Sequence, residues 1–366
     1  MKTIIYIGNF SFPFGNASGK RVYANGQVLR TLGYKVLFIG VDNKVTQKSE
    51  IRDTEDEHDG FKYYNLPYPQ NYIDWINYKN AYIKLITFIK QERLLDNLEF
   101  VILYGSPSLS LFNTKVHKFC KHNNIKVLTD CVDWLTTKTK NPIFNLIKWV
   151  DNTYQKAYVN NKVDGVIVIS KYLEEYYKKF GKKTIIVPPL SPIEFKFAEL
   201  GDNLDTMKVI TYAGQPFRIG KRITDLNTLK DRIDKTIVLL IRAKEKGCEF
   251  IFNIYGFTKD EYLVAIPSQT DCIEKLGDSV FFHGLKSNEE VVKVILLSDF
   301  TILIRDINRD TAAGFPTKVS ESISCGTPVI TTKTSDLEKY IKEGYNGFFL
   351  DAKNEKNSIS ELVDIL

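Results

Sequence analysis

The segment Gly314-Phe315-Pro316-Thr317-Lys318-Val319-Ser320-Glu321 reads as a loop with Gly and Pro leading into a short helix. That helix stops at Gly326, before the buried strand Thr327–Thr331. Backbone N–H groups at a helix start lack partners within the helix. Those near Thr317 and Lys318 can hold an anion. Lys318 adds a positive charge at the same place. Glu321 follows one turn later on the same face. A carboxylate is poorly placed to bind a phosphate, but it suits the hydroxyls of a ribose diol. The plainer alternative is a surface helix on which Lys318 and Glu321 pair with each other.

Three further stretches carry candidate chemistry. Tyr212–Lys221 is a loop with Gly214, Arg218 and Lys221, either an anion-binding loop or a solvated turn. Phe12–Arg21 is a Gly-rich turn containing Gly15 and Gly19. Such a turn is common to many nucleotide-binding sheets. This one is neither G-x-G-x-x-G nor a phosphate-binding P-loop, because Arg21 follows Gly19-Lys20. Lys20 and Arg21 are either anion contacts or an exposed helix start. Leu128–Trp134 ends an apolar run with Asp130 and Asp133, of which Asp133 can bind a hydroxyl or merely cap the chain. His58, His117, His122 and His283 show no metal-ligand spacing, and His283 after an apolar run reads as structural.

The elements that must position these residues alternate. Thr3–Gly8 and Lys35–Gly40 read as strands around a helix from about Lys20 to Leu32, whose Val22, Val28, Leu29 and Leu32 share a face. Gly33 caps that helix. Strand, turn, helix and strand in this order imply a parallel sheet. The pattern continues through Phe100–Tyr104, Leu109–Asn123, Lys126–Thr129, Gly165–Ile169, Lys171–Phe180 and Thr184–Val187. Pro188, Pro189 and Pro192 then interrupt it. A second series starts with Val209–Tyr212, with a helix over about Thr236–Lys246 and strands Phe250–Tyr255, Val280–Phe282 and Phe300–Ile304. The expected domains are therefore 1–189 and 208–366, with 190–207 as linker.

With these residues in place, the carboxyl half resembles the family 4, or group 1, glycosyltransferases. Gly314 and Phe315 match their Glu-Gly-Phe-Gly signature, Glu321 falls on its second glutamate, and Gly326-Thr327-Pro328-Val329 matches in full. Pro316-Thr317-Lys318 is similar to the branch that builds bacterial surface polysaccharides. The first glutamate, which contacts the donor sugar in the family, falls on Ala313, with Asp310 nearby. Tyr212–Lys221 resembles the family's Gly-Arg loop, with Lys221 on its lysine and Gln215 on its arginine. Asp130 and Asp133 resemble a strand end of the same branch, with Val132 where that branch has histidine.

The resemblance implies an α/β fold of two facing Rossmann-like domains, the GT-B type, with a cleft between them. It implies transfer of a hexose from a nucleoside-diphosphate sugar to a saccharide or lipid-linked acceptor, with retention of configuration. The expected donor contacts are Glu321, Lys318, Thr317, Phe315, Gly314, Gly214, Gly15 and Gly19. Lys221 and Arg218 are expected to stabilise the departing diphosphate, and Asp133 to meet the acceptor. UDP-sugar is the favoured donor, with no cofactor and no metal. A catalytically impaired homologue that binds sugar or a partner is the alternative.

Composition narrows the rest. The chain has 366 residues, 43% of them hydrophobic, and a formal charge of +6, which suits two soluble domains. No basic block with interleaved aromatics marks a nucleic-acid binder. Five scattered cysteines without a CxxC pair read as free thiols. The amino-terminal apolar run is too short for a signal-peptide core or a span, which points to the cytoplasm. Asn141–Asn161, with Phe144, Ile147, Trp149 and Val150 among Lys140, Lys148 and Lys156, is either a helix packed on its own sheet or an amphipathic helix in peripheral contact with a membrane.

Overall fold

The computed structural model describes residues 1–69, 74, 78, 80–105, 110–134, 142–190 and 207–366. The chain divides into two units, Met1–Pro192 and Ile193–Leu366. Of the expected linker, only Leu190 and Met207 lie within the described residues.

The first unit runs β1 (Thr3–Gly8), α1 (Ala17–Thr31), β2 (Lys35–Asp42), β3 (Asp56–His58), β4 (Phe61–Pro67), α2 (Tyr82–Gln91), β5 (Leu98–Tyr104), α3 (Ser110–His122) and β6 (Lys126–Cys131). It continues with α4 (Pro142–Tyr154), β7 (Gly165–Val168), α5 (Lys171–Lys178) and β8 (Thr184–Ile186). Its sheet has the order β3-β4-β2-β1-β5-β6-β7-β8, parallel except for the β3–β4 hairpin. Every residue of β1 is buried, as a central parallel strand covered on both faces requires.

Helix α1 begins at Ala17, where the Asn16 side chain accepts the Gly19 N–H at 2.8 Å. Its buried face differs from the expected one. Val22 is buried and Leu29 partly so, but Val28 and Leu32 are exposed, while Arg21 and Asn25 turn inward. The cause is a buried carboxylate from β6. Asp130 accepts both Arg21 Nε (2.9 Å) and Nη2 (2.8 Å). Gly26 lets the helix press on Phe38, whose Cζ would lie 2.3 Å from an added Cβ.

The second unit runs β9 (Lys208–Ala213), α6 (Ile233–Glu245), β10 (Phe250–Tyr255), α7 (Lys259–Ala265), α8 (Thr270–Leu276), β11 (Val280–Phe282) and α9 (Asn288–Leu296). Then come β12 (Phe300–Leu303), α10 (Arg309–Ala313), α11 (Thr317–Ser324), β13 (Val329–Thr332), β14 (Gly347–Leu350) and α12 (Glu355–Ile365). The all-parallel order is β11-β10-β9-β12-β13-β14. Both units thus contain the doubly wound order 3-2-1-4-5-6, in which ligands bind outside the carboxyl ends of the strands where the order reverses. That point lies beside β1 and β5 in the first unit and beside β9 and β12 in the second. Among the described residues, no helix is long and apolar enough to cross a membrane.

Candidate functional site

In the second unit the carboxyl ends of β9 and β12 converge on Asp231, which lies just before α6. Its carboxylate accepts Arg305 Nε and Nη2, both at 2.7 Å, Lys318 Nζ at 2.7 Å and the Tyr212 hydroxyl at 3.1 Å. Burial alone would raise this carboxyl, but Lys318 and Arg305 outweigh it and hold the group well below its usual range. The Tyr212 phenol is pushed up by burial and by Asp231. The cluster therefore keeps an anion and two cations in place near neutral pH. Beside it, Arg232 pairs with Asp234 at 2.7 Å and with Asp306, which also takes Lys235 at 2.6 Å.

Gly214 is where Lys318 passes to reach Asp231. A Cβ there would meet Lys318 Cε at 2.1 Å and Nζ at 2.6 Å. The close approach continues into Gly256 (φ +118), after β10, whose Cβ would fall 2.3 Å from the Gly214 carbonyl oxygen. A larger residue at Gly214 would push the Lys318 ammonium aside, and one at Gly256 would press on the Gly214 backbone.

Helix α11 starts as expected and stops at Cys325, with Gly326 at φ +77. Its N-cap is Pro316, which makes no side-chain cap. By contrast, α7, α9 and α10 carry capping boxes from Thr258, Ser287 and Asn308. The first-turn amides of α11 thus depend on something other than a cap. Its far end is pinned: the Ser322 hydroxyl lies 2.6 Å from that of Thr301 and donates to the Thr327 carbonyl at 2.7 Å. Gly326-Thr327-Pro328-Val329 accordingly fixes the helix to the sheet.

The expected site residues separate into distinct roles. Lys318 is not a loose cation, because its ammonium is committed to Asp231. Gly314 and Phe315 are buried, with Phe315 edge-on to Tyr340 at 5.3 Å, so they support α11 from beneath. Thr317 and Glu321 are half-buried on that helix. Arg218 and Lys221 are exposed on one turn of the Gly214 loop, joined by Lys221 N–H to Arg218 C=O at 3.3 Å. The loop is anchored by Phe217 packed on Phe257 at 4.9 Å. Residues 222–232 connect Lys221 to α6. His283 stacks on Tyr255 at 4.4 Å and shares a 2.7 Å hydrogen bond with Asn253, as expected of a structural histidine.

In the first unit, Gly19 is buried and an added Cβ would sit 2.1 Å from the Ser11 carbonyl oxygen. Gly15 is exposed, and its Cβ would meet Ser11 Cβ at 2.6 Å. Both glycines let the turn fold against itself. Arg21 is buried on Asp130, so it is a structural ion rather than an exposed anion contact. Asp133 is half-buried just past β6. Next to the turn is a cavity of about 790 Å³, absent from the sequence reading. It is lined by Asn9, Asn16, Asp42, Glu55, Tyr63 and Tyr68 among others. This volume is within the range of small-molecule sites.

Sequence reasoning missed Asp231, Arg305 and Gly256. A signal existed for the first two. Lys230-Asp231-Arg232 directly precedes the apolar spacing of α6, and Arg305-Asp306 directly follows an apolar strand. Among the described residues, no three His, Cys, Asp or Glu side chains converge as a metal site.

This arrangement can be set against known proteins. Residues 244–366 match the model of the family described as glycosyl transferases group 1. The matched stretch lies wholly within the carboxyl-terminal unit. No curated protein matches the chain by sequence. Solved structures match over nearly its whole length. A sucrose-phosphate synthase from Thermosynechococcus elongatus superposes with TM-score 0.64 at 16% identity, covering 100% of this chain and 90% of that one. An alpha,alpha-trehalose-phosphate synthase (UDP-forming) from Burkholderia vietnamiensis gives 0.66 at 8%, covering 99% and 88%. HepE from Anabaena, solved in complex with UDP-glucose, gives 0.58 at 13%, covering 100% and 88%. At such identities the likeness establishes the fold, which is GT-B, with two Rossmann-like units as expected.

Proposed function

We propose that this protein transfers a hexosyl group from a nucleoside-diphosphate sugar, preferably a UDP-sugar, to a saccharide or lipid-linked acceptor. The observation that carries this reading is the start of α11. An uncapped helix terminus with Glu321 one turn along lies in a segment matched to glycosyl transferases group 1. The similar HepE structure holds UDP-glucose.

In this reading Glu321 accepts hydrogen bonds from the ribose diol, and the amides near Thr317 receive a phosphate oxygen. Lys318 and Arg305, fixed by Asp231, supply a preorganised positive field. Arg218 and Lys221 add exposed cations as the diphosphate gains charge. Removing one donor from a site of this kind typically costs on the order of 10²–10³ in rate. The bond from the anomeric carbon to the phosphate oxygen breaks, and the acceptor oxygen bonds to that carbon. The acceptor attacks from the same face that the phosphate leaves, and its proton passes to the leaving phosphate oxygen, so configuration is retained without a metal or a carboxylate nucleophile. An inverting reaction would instead need a base, and Asp133 is the candidate. The cavity beside Asn9 and Asp42 suits a polyol acceptor. Asp42, Asp53, Glu55 and Asp56 line it against the single cation Lys44, which disfavours an anionic one.

One observation favours a second reading, a sugar-binding homologue without turnover. Ala313, at the position of the family's sugar-contacting glutamate, is wholly buried and brings no carboxylate. Glu321→Ala separates donor binding from turnover. Affinity for UDP and the donor, measured by calorimetry, is expected to fall by about 10- to 100-fold, the worth of hydrogen bonds to a charged group. Unchanged affinity removes Glu321 from the site.

A further inference from the structure

The amino-terminal edge of the first sheet is a surface of lysines. Lys121 lies in the last turn of α3, Lys126 opens β6, and Lys162 stands just before β7. Lys179 and Lys183 bound the turn from α5 into β8. These five side chains are exposed. Among the described residues no carboxylate lies within ion-pair distance of them, whereas the neighbouring Lys178 is matched by Glu174 at 3.0 Å. Strands β6, β7 and β8 lie side by side, so the five share one edge. Lys182 Nζ donates to the Val163 carbonyl at 2.8 Å, and the Val166 N–H to the Lys183 carbonyl at 2.9 Å, which ties the turn to the entry of β7. His117 of α3 completes the link. Burial lowers its imidazole, and Lys121 and Lys182 lower it further against the pull of Asp164.

The charge is one-sided in the sequence as well. No Asp or Glu occurs from Ser110 to Thr129 or from Tyr176 to Leu190. Asp164 is the one acid between Asp151 and Glu174, and its carboxylate accepts the Val127 N–H at 2.8 Å. Cations at helix carboxyl termini offset the helix dipole. That accounts for Lys121, Lys162 and Lys179, each at the end of a helical segment, but not for Lys126 and Lys183, which lead strands. Helix α4 offers no such charge. It turns Ile143, Leu146, Trp149 and Val150 to solvent and Asn152 and Gln155 inward, which corrects the packed-helix alternative. Its Lys148 is half-buried near Asp151, and Lys156, just beyond it, lies over the Trp134 ring at 4.1 Å.

We propose that this lysine edge docks onto an anionic lipid leaflet. Charge complementarity is the first reason. Each lysine near an anionic surface strengthens binding about fivefold. Phe180 is the second: it is 50% exposed on the turn between Lys179 and Lys183, an apolar tip that suits the headgroup boundary. The third is lysine without arginine, since no arginine occurs between Arg93 and Arg218. Nucleic acid is the competing polyanion, and its interfaces rely on arginine for bidentate contacts to phosphate and guanine. Lysines without such a fork suit a fluid leaflet, which presents no fixed pattern. Docked this way, the carboxyl ends of the same strands, where the Gly15–Gly19 turn and Asp133 lie, face away from the lipid. This inference does not depend on the glycosyl-transfer reading.

The test is flotation of the full chain with vesicles of phosphatidylcholine, with and without phosphatidylglycerol. The protein is expected to float only with the phosphatidylglycerol vesicles and to be released by high salt. Lys179→Glu combined with Lys183→Glu is expected to lower partitioning at least about 25-fold, fivefold for each lost lysine. Lys353→Glu combined with Lys356→Glu changes the net charge equally at exposed positions of the second unit, and it is expected to leave most of the binding. All four positions are exposed, so circular dichroism and the thermal midpoint should not change. Failure to float overturns the proposal, as does an equal loss in the two double variants. So does capture of a labelled DNA duplex, sensitive to Lys179→Glu with Lys183→Glu, by a protein that binds no vesicle.

Discussion

Asp231→Ala is expected to destabilise the carboxyl-terminal unit by about 3–5 kcal/mol, the usual cost of leaving a buried charge without its partner. The side chains of Asp231 and Arg305 are only 6% and 8% exposed, so Arg305 would keep its desolvation penalty and lose its counter-ion. Lys318, 26% exposed, can turn partly to water, which limits the loss on its side. The pH dependence has a definite sign. Folding depresses the Asp231 carboxyl, so its contribution is complete above the unfolded value of about 3.9 and fades as pH falls toward the folded one. The gap between wild type and Asp231→Asn in denaturant midpoint should be full at pH 7 and should shrink below about pH 4. A gap under about 1 kcal/mol at pH 7 would mean the cluster is a loosely solvated surface network.

Breaking the Arg21–Asp130 pair should have an effect of similar size on the first unit. Both side chains are essentially excluded from solvent, at 3% and 0%. Arg21 also donates to the Val187 carbonyl at 2.9 Å, which ties α1 to the chain just after β8. The Tyr6 hydroxyl donates to the same carboxylate, and Asn25 Nδ2 donates to Tyr6 at 3.1 Å. Asp130→Ala therefore strands a guanidinium and a phenol, at an expected cost of about 3–5 kcal/mol. Replacing both ions by Arg21→Met with Asp130→Leu should recover at least half of that, because apolar packing of similar volume often matches a buried ion pair. Chemical denaturation of the single and double variants checks the claim. A double variant no more stable than Asp130→Ala would show that the pair itself stabilises the fold.

These two clusters also explain which parts of the molecule were legible in the sequence. Runs such as Thr3–Gly8 and Phe250–Tyr255 are continuous and apolar, and the parallel sheet follows from them. The start of α11 was equally plain, because Gly, Pro and the final Gly326 mark a loop, a helix and a stop within a few residues. The inward face of α1 was not plain. Arg21 and Asn25 look like surface residues until Asp130, more than 100 positions away, is brought beside them. Lys318 looked like a free phosphate ligand because its partner Asp231 is 87 positions earlier. Strand β3, with the sequence Asp56-Glu57-His58, has no apolar pattern because it is an exposed edge. Helix α4 shows the limit most clearly. Its amphipathic spacing was readable, but which face is covered depends on Ser110 and Asn113 of α3. Spacing identifies an element, whereas long-range polar partners decide its orientation.

The central claim is that the carboxyl-terminal unit binds a nucleoside-diphosphate sugar and activates its glycosidic bond. The most direct measurement incubates the full chain with a panel of nucleotide sugars, recording the thermal shift and the released nucleoside diphosphate for each. The account predicts selective stabilisation by one donor, with UDP-sugars foremost, and release of its diphosphate even when water is the only acceptor. Absence of stabilisation and release across the whole panel would contradict it.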